Sequence, residues 1–453
     1  MKIRHLASGA LLSAWVCAPA LAADSAAVDQ AMLAAARARQ PAVIQSLGDM
    51  VAIESGSDDA AGLRKMAAYC EGHLKALGAA TRIVPSTHGK PPGLVEGVLR
   101  GNGKLRVMLI AHMDTVYRQG ILDTEPFHRD GNKLYGPGIA DDKGGIATIL
   151  GSLAVLKALG WNDYERITVL FNPDEEIGSE GTGSIIAKFA ADNDVVLSYE
   201  PNASKETARA LAGVAAEGVL LSAAGTAKVQ LKVAGRAAHA GAAPEEGRNA
   251  LVELADQIVR TREVYKSVKG AQMNWTMASA SPVRNQIPGQ AEAFADLRYS
   301  EPDAPKELQA ALQEMVAAQP LIPDTTTTVR VDTLRPIYKA DDKTMALAKL
   351  AQSIYAQLHA GDLEQLPNRE MPDDETALNP RDLLLIPGTM GGTDAGFAQS
   401  AGTPAVLEGM GLAGWGYHAR NEYIEIDSIV PRLYLTSRML VELAERANQR
   451  QGS

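Results

Sequence analysis

The stretch LRVMLIAHMDTV, residues 105–116, joins two signals. Its first seven residues form a short, nearly continuous apolar run, as a strand buried on both faces requires. Directly behind it stand His112 and Asp114, where parallel strands present functional side chains at their C-terminal ends. The same arrangement recurs twice. RITVLF (166–171) runs into the turn-forming NP and then Glu175 and Glu176, and VVLSY (195–199) runs into Glu200. Between these runs, residues 144–159 and 184–190 carry apolar side chains at helical spacing. Strands alternating with helices predict an α/β fold with a mostly parallel sheet covered on both faces.

Working outward, residues 61–77 are a helix whose apolar stripe includes Leu63, Met66, Cys70, Leu74 and Leu77, so Cys70 is a core residue. The pattern changes near residue 224. KVQLKV (228–233) alternates polar and apolar, as a strand with one wet face does. Further strands are expected at 291–299 and 326–331, with helices at 249–261 and 305–316. This set reads as a small α+β unit inserted into the larger domain. The α/β pattern resumes with a helix at 343–358, strands at 383–386 and 404–407, and a terminal helix over 431–447. The polar segment 361–381 reads as a loop. The expected domains are therefore 24–223 with 335–453, and 224–334.

The 453 residues carry 44 Lys and Arg against 54 Asp and Glu, a net charge of −10 without a basic stripe. Nucleic acid is excluded as a partner on that ground. Residues 1–22 read as an export signal: Lys2 and Arg4, an apolar stretch to Pro19, then the small-x-small Ala20-Leu21-Ala22. The stretch is too short to span a bilayer, so a periplasmic or secreted protein without a membrane anchor is expected. Cleavage would remove Cys17 and leave Cys70 alone, with no intrachain disulfide.

Six positions carry the chemistry: His112, Asp141 in GIADDKGG, Glu175 and Glu176, Glu200, and His418 in GYHARNE; Asp114 belongs with His112. Oxygen and imidazole donors without thiolates suit a hydrolytic zinc pair. Two adjacent carboxylates after an apolar strand allow one to bind metal while the other meets the attacking water.

HMDTV, ADDKGG, PDEEIGSEGT, YEP and GYHARNE, in this order, resemble the M20 family of metallopeptidases, and among them its secreted, glutamate-releasing carboxypeptidases. The interposed GRAAHAGAAPEEGRNAL block resembles that family's small dimerisation domain. The resemblance implies two Zn2+ per subunit bridged by Asp141, with His112 and Glu200 completing one site and Glu176 and His418 the other. It implies Glu175 as general base, Asp114 as orienter of the His112 ring, and a cis peptide after Asp141. His239 would be an oxyanion donor supplied across a homodimer interface. Arg335, Asn285 and the backbone at Gly392 would hold the substrate's free α-carboxylate, and Arg298 and Thr389 its side chain. Gly218 and Leu220 stand where glutamate-releasing relatives carry Lys and Ser, a departure that implies relaxed side-chain preference. The implied function is a di-zinc carboxypeptidase acting on N-acyl, peptidyl or folate-like substrates. An aminopeptidase or dipeptidase of the same family, or a non-catalytic binding protein that kept the fold, are the alternatives.

Overall fold

The computed structural model describes residues 28–89, 92–212, 216–281, 283–358 and 383–449. The signal reading of residues 1–22 and the loop reading of 361–381 fall outside them.

The larger domain is built on a six-stranded mixed sheet in the order Ala80–Val84, Leu94–Arg100, Arg166–Asn172, Arg106–His112, Val195–Ser198, Ala405–Leu407. The last four strands pair in parallel, while the first two join antiparallel at one edge. The parallel part is what the apolar runs announce. The two antiparallel strands escape that reading because Ala80–Val84 is largely exposed and has no apolar run to mark it.

Side-chain alternation divides the core into two layers. Val107, Leu109, Val169, Phe171 and Leu197 pack with the helices Gln30–Val51, Lys143–Ala158 and Ile429–Gln449. Met108, Ile110, Leu170, Val196 and Val406 face the opposite way, against Gly183–Ala191 and Ala395–Ser400. Cys70 lies fully buried in the first layer. Because the parallel strands all point one way, His112, Asn172, Ser198 and Leu407 end on one rim. The segments that follow them build the site.

The small domain is a four-stranded antiparallel sheet, ordered Ala271–Ala280, Gln290–Tyr299, Gly225–Ala234, Thr326–Arg335. Ala227, Val229, Leu231 and Val233 bury one face under the helices Ala250–Thr261 and Ala304–Val316. The other face is polar, as KVQLKV predicts. Register places Gln272, Arg298, Thr226 and Arg335 in one row across it. The two connections to the larger domain run side by side, Ser222 and Ala223 pairing with Lys339 and Tyr338.

The terminal helix is pinned by a buried charge. Arg432 and Glu217 are both fully buried, with Nε–Oε2 at 2.6 Å. The remaining guanidinium nitrogens donate to the Gly409 and Gly218 carbonyls at 3.0 and 2.9 Å. Arg432→Ala is expected to cost about 3–5 kcal/mol, since it strands a buried carboxylate. Urea denaturation checks this, and a midpoint equal to the parent's would contradict it.

Candidate metal centre

Asp141 lies between the two histidines. Its Oδ1 is 2.9 Å from His112 Nε2, and its Oδ2 is 3.2 Å from His418 Nε2. On the His112 side Glu200 Oε1 stands 3.9 Å from the same ring nitrogen. On the His418 side Glu176 Oε2 stands at 2.9 Å. Two groups result, His112–Asp141–Glu200 and Asp141–Glu176–His418, each with its donor atoms within 4.8 Å of one another. Tetrahedral ligands at ordinary Zn–N and Zn–O lengths lie about 3.3 Å apart. The donor set and spacing fit a pair of zinc ions sharing one carboxylate.

Each ligand is placed by local chemistry. His112 closes its strand, and Glu175 and Glu176 open a single turn just beyond the Asn172 strand. Asp141 ends the turn before the helix Lys143–Ala158, and the Asp141–Asp142 peptide is cis. Asp142 caps that helix, accepting from Gly145 N–H at 2.9 Å, and its other oxygen accepts from His112 N–H at 3.2 Å. Strand end and turn are thus tied together. His418 occupies a left-handed turn position (φ 62°).

The orientation of the His112 ring differs in detail from the expectation. Its Nδ1 donates to the Asp114 main-chain oxygen at 3.0 Å, while the Asp114 carboxylate lies at 3.4 Å. Either partner leaves Nε2 free for a metal. The carboxylate has a second duty that spacing does not reveal. It accepts from Ser57 Oγ–H at 2.8 Å and from Glu175 and Glu176 N–H at 3.0 and 3.1 Å. Asp114 therefore holds the turn that carries both glutamates.

Glu175 is buried, and its Oε1 is 2.9 Å from Arg335 Nη2. Burial pushes its carboxyl up to about 8, against the pull of Arg335 and His112. Glu200 is likewise driven well above the usual range by burial. At Asp141 burial acts the same way, but the hydrogen bonds from His112 and His418 outweigh it and hold the group far below ordinary carboxylates. Asp141 and Glu176 hold the His418 imidazolium up to about 10.

Arg335 is 5% exposed and its Nε has no hydrogen-bond partner among the described residues. Gly392 lies against it, so close that a Cβ there would sit within 3.0 Å of Arg335 Cδ. The structure brings His112, Asp114, Asp141, Glu175, Glu176, Glu200, His418, Arg335 and Gly392 into one region. His239 and Asn285 are elsewhere, exposed on the small domain, where Ala240 N–H donates to the Asn285 carbonyl at 2.9 Å. Arg298 is half-buried and pairs with Asp296 at 2.9 Å, and Thr389 is exposed. At Gly218 a Cβ would meet the Ile386 side chain at 2.6 Å, so a larger residue there requires Ile386 to move.

Several residues escaped the motif reading. Asp142 and Glu422 stand inside the ADDKGG and GYHARNE motifs, which carry no sign of the main-chain groups they hold. Glu408, fully buried, accepts from Glu200 N–H at 3.2 Å. It follows the last parallel strand, where the position itself was the available signal.

Residues 108–442 match peptidase family M20/M25/M40. The chain is 38% identical over 446 residues to carboxypeptidase G2 of Pseudomonas sp. (strain RS-16), covering 97% of this chain and 98% of that protein. The fold is similar to that of the M20 family metallo-carboxypeptidase Sso-CP2 from Sulfolobus solfataricus (TM-score 0.64, 16% identity, 89% of this chain and 99% of that one). It is equally similar to aminopeptidase PepT from Bacillus cereus (TM-score 0.63, 18% identity, 89% and 99%). The chain belongs to the M20 family and is a di-metal hydrolase related to carboxypeptidase G2.

Two outcomes are expected. Asp141→Ala should lose both metals, because each group of ligands depends on the shared carboxylate; metal analysis after dialysis against Zn2+ reads this directly. Loading metal into metal-free protein at neutral pH should release roughly one proton or more, since His418 held near 10 must deprotonate to bind. Calorimetry in two buffers of different ionisation enthalpy measures that release.

Proposed function

We propose that this member of the M20 family is a zinc-dependent carboxypeptidase that cleaves the amide before a C-terminal amino acid in N-acyl, peptidyl or folate-like substrates. The observation that carries the reading is Arg335: a buried guanidinium beside Glu175, with an unpartnered Nε and the Gly392 backbone against it. A planar cation so placed suits a substrate carboxylate a short distance from the scissile bond. The full-length similarity to carboxypeptidase G2 supports the same direction.

Two Zn2+ held by the paired ligand groups would supply Lewis acidity and the positive charge that acidifies a shared water and returns Glu175 toward its ionised form. Glu175, adjacent to ligand Glu176, takes the proton as that water attacks the carbonyl carbon. It then delivers the proton to the leaving nitrogen, acting first as base and then as acid. Asp114 keeps Glu175 in place through the main chain.

The tetrahedral oxygen needs a further donor. His239 Nδ1 accepts from Gly241 and Ala242 N–H at 3.2 and 3.1 Å, which leaves its Nε2–H as an exposed donor. Asn285 lies beside it in the same loop pair. Both belong to the small domain, and in a homodimer this loop would serve the partner's centre. Exposed Leu251, Val252, Val259 and Met277, with the edge strand Ala271–Ala280, support the small domain as the dimer contact. The export signal read in residues 1–22 supports a periplasmic or secreted setting. Among the described residues no helix is long and apolar enough to cross a membrane.

Arg298 shares the row of Arg335 and Thr226, roughly 10 Å along the sheet from Arg335 at ordinary strand spacing. It is the candidate partner of the substrate side chain, together with exposed Thr389, which pairs with Ala223. Because Asp296 already pairs with Arg298, an acidic side chain must compete for it. Relaxed preference follows.

Glu175→Ala is expected to keep its metal while kcat falls at least ~10²-fold; unchanged turnover would reassign the base. On N-acyl amino acids differing only in the last residue, kcat/KM for glutamate should exceed that for neutral residues by less than ~10³-fold. Turnover of only an unblocked dipeptide amide would replace the carboxypeptidase reading with an aminopeptidase one.

A further inference from the structure

The turn that delivers Asp141 has no regular structure to satisfy its main chain, yet its N–H groups converge on one residue. Glu422, 2% exposed, accepts from Ala140 and Asp141 N–H through Oε1 at 2.8 and 3.0 Å. Its Oε2 accepts from Gly138 N–H at 2.8 Å, and its own carbonyl accepts from Gly136 N–H at 3.0 Å. The Tyr117 hydroxyl stands 2.7 Å from Oε2 and also 2.7 Å from the carbonyl of Ala419, the residue after His418. Tyr117 itself lies five residues beyond His112. Within the turn, buried Lys143 donates to the Pro137 carbonyl at 2.8 Å.

We propose that Glu422, braced by Tyr117, is the positioning residue of the dinuclear centre, setting the bridging carboxylate and the His418 loop in register before any metal binds. Four main-chain donors of one turn end on this side chain or its carbonyl, and its bracing hydroxyl reaches the segments of both histidines. Three of the four fall on the two carboxylate oxygens; an amide would turn one of those acceptors into a donor. Glu422 is not itself a ligand in either donor group. Its influence passes through Asp141, which both groups share, so loss of Glu422 should weaken both metal positions together. Loss of an unshared ligand such as Glu176 should weaken one.

The inference rests on the metal-centre reading, and the test separates the two. Metal-free parent, Glu422→Gln, Tyr117→Phe and Glu176→Gln proteins are titrated with Co2+, following visible absorption and competition with a chromophoric chelator. Circular dichroism checks that each variant is folded. The parent should bind two ions. In Glu422→Gln both dissociation constants should rise by about 10-fold or more with an altered Co2+ spectrum, the size expected when a group that orients ligands is lost. Tyr117→Phe should shift the spectrum and weaken binding in the same direction by a smaller factor, and it decides the matter if Glu422→Gln does not fold. A folded Glu422→Gln with parental constants and spectrum overturns the inference, as does an unchanged Tyr117→Phe where that variant is decisive. A parent that binds no Co2+ overturns the metal-centre reading instead.

Discussion

Too many buried carboxylates share too small a volume, and the rest of the structure answers to that constraint. Asp114, Asp141, Asp142, Glu175 and Glu422 are each less than a tenth exposed, with Glu176 and Glu200 beside them. Burying an uncompensated carboxylate costs several kcal/mol. The fold meets the cost in two ways. Main-chain N–H groups are aimed at the carboxylates that are not ligands: at Asp114 from Glu175 and Glu176, at Asp142 from His112 and Gly145, and at Glu422 from the Asp141 turn. The ligand carboxylates instead face imidazoles, an arrangement completed by divalent cations. The same carboxylates hold both histidines above their ordinary range.

This division explains why the parallel sheet matters. A strand's end leaves its last groups unpaired and its next residues free to turn, so four neighbouring strand ends concentrate irregular main chain on one rim. Irregular main chain supplies the N–H donors that acidic side chains need. The centre is thus a property of the rim as a whole. Asp142 links the His112 strand end to the Asp141 turn, and Asp114 links the same strand to the Glu175 turn beyond its neighbour.

The parallel strands, and His112, Glu176 and Glu200 beyond them, were legible because each is a local pattern: an apolar run of strand length, then a polar residue. Asp141 and His418 follow no such run, and only the resemblance of their motifs to the family pointed to them. The supporting residues were not. Glu422 acts on Asp141 from 281 positions away, and Glu408 acts on Glu200 from 208, separations at which spacing carries no information. The edge strand Ala80–Val84 was missed because an antiparallel edge tolerates exposure and needs no apolar run; its neighbour Leu94–Arg100, buried at its start, is interrupted by Glu96 and Gly97. Asp114 was read for its distance from His112 alone, and its grip on the Glu175 turn emerges only when two strands lie side by side. Position 218 shows a related limit. The Ile386 side chain packs against Gly218, a contact that a comparison by position alone does not reveal.

Arg335, which closes a strand of the small-domain sheet one residue past the boundary expected from the sequence, brings that domain beside Glu175. It ends the strand Thr326–Arg335, opposite Thr226, where the register shifts by a bulge. From there its guanidinium donates to the Glu175 carbonyl at 2.5 Å and pairs with the Glu175 carboxylate. The residue beside one ligand in the larger domain therefore has its electrostatic partner in the other domain. The paired segments Ser222–Ala223 and Tyr338–Lys339 carry the chain between the two. Any change in how the domains meet alters the positive charge beside Glu175. A carboxylate that draws Arg335 to itself does the same, without touching a ligand. Carboxylate binding at the domain boundary, as proposed, would therefore act on the proton affinity beside the centre through the same guanidinium.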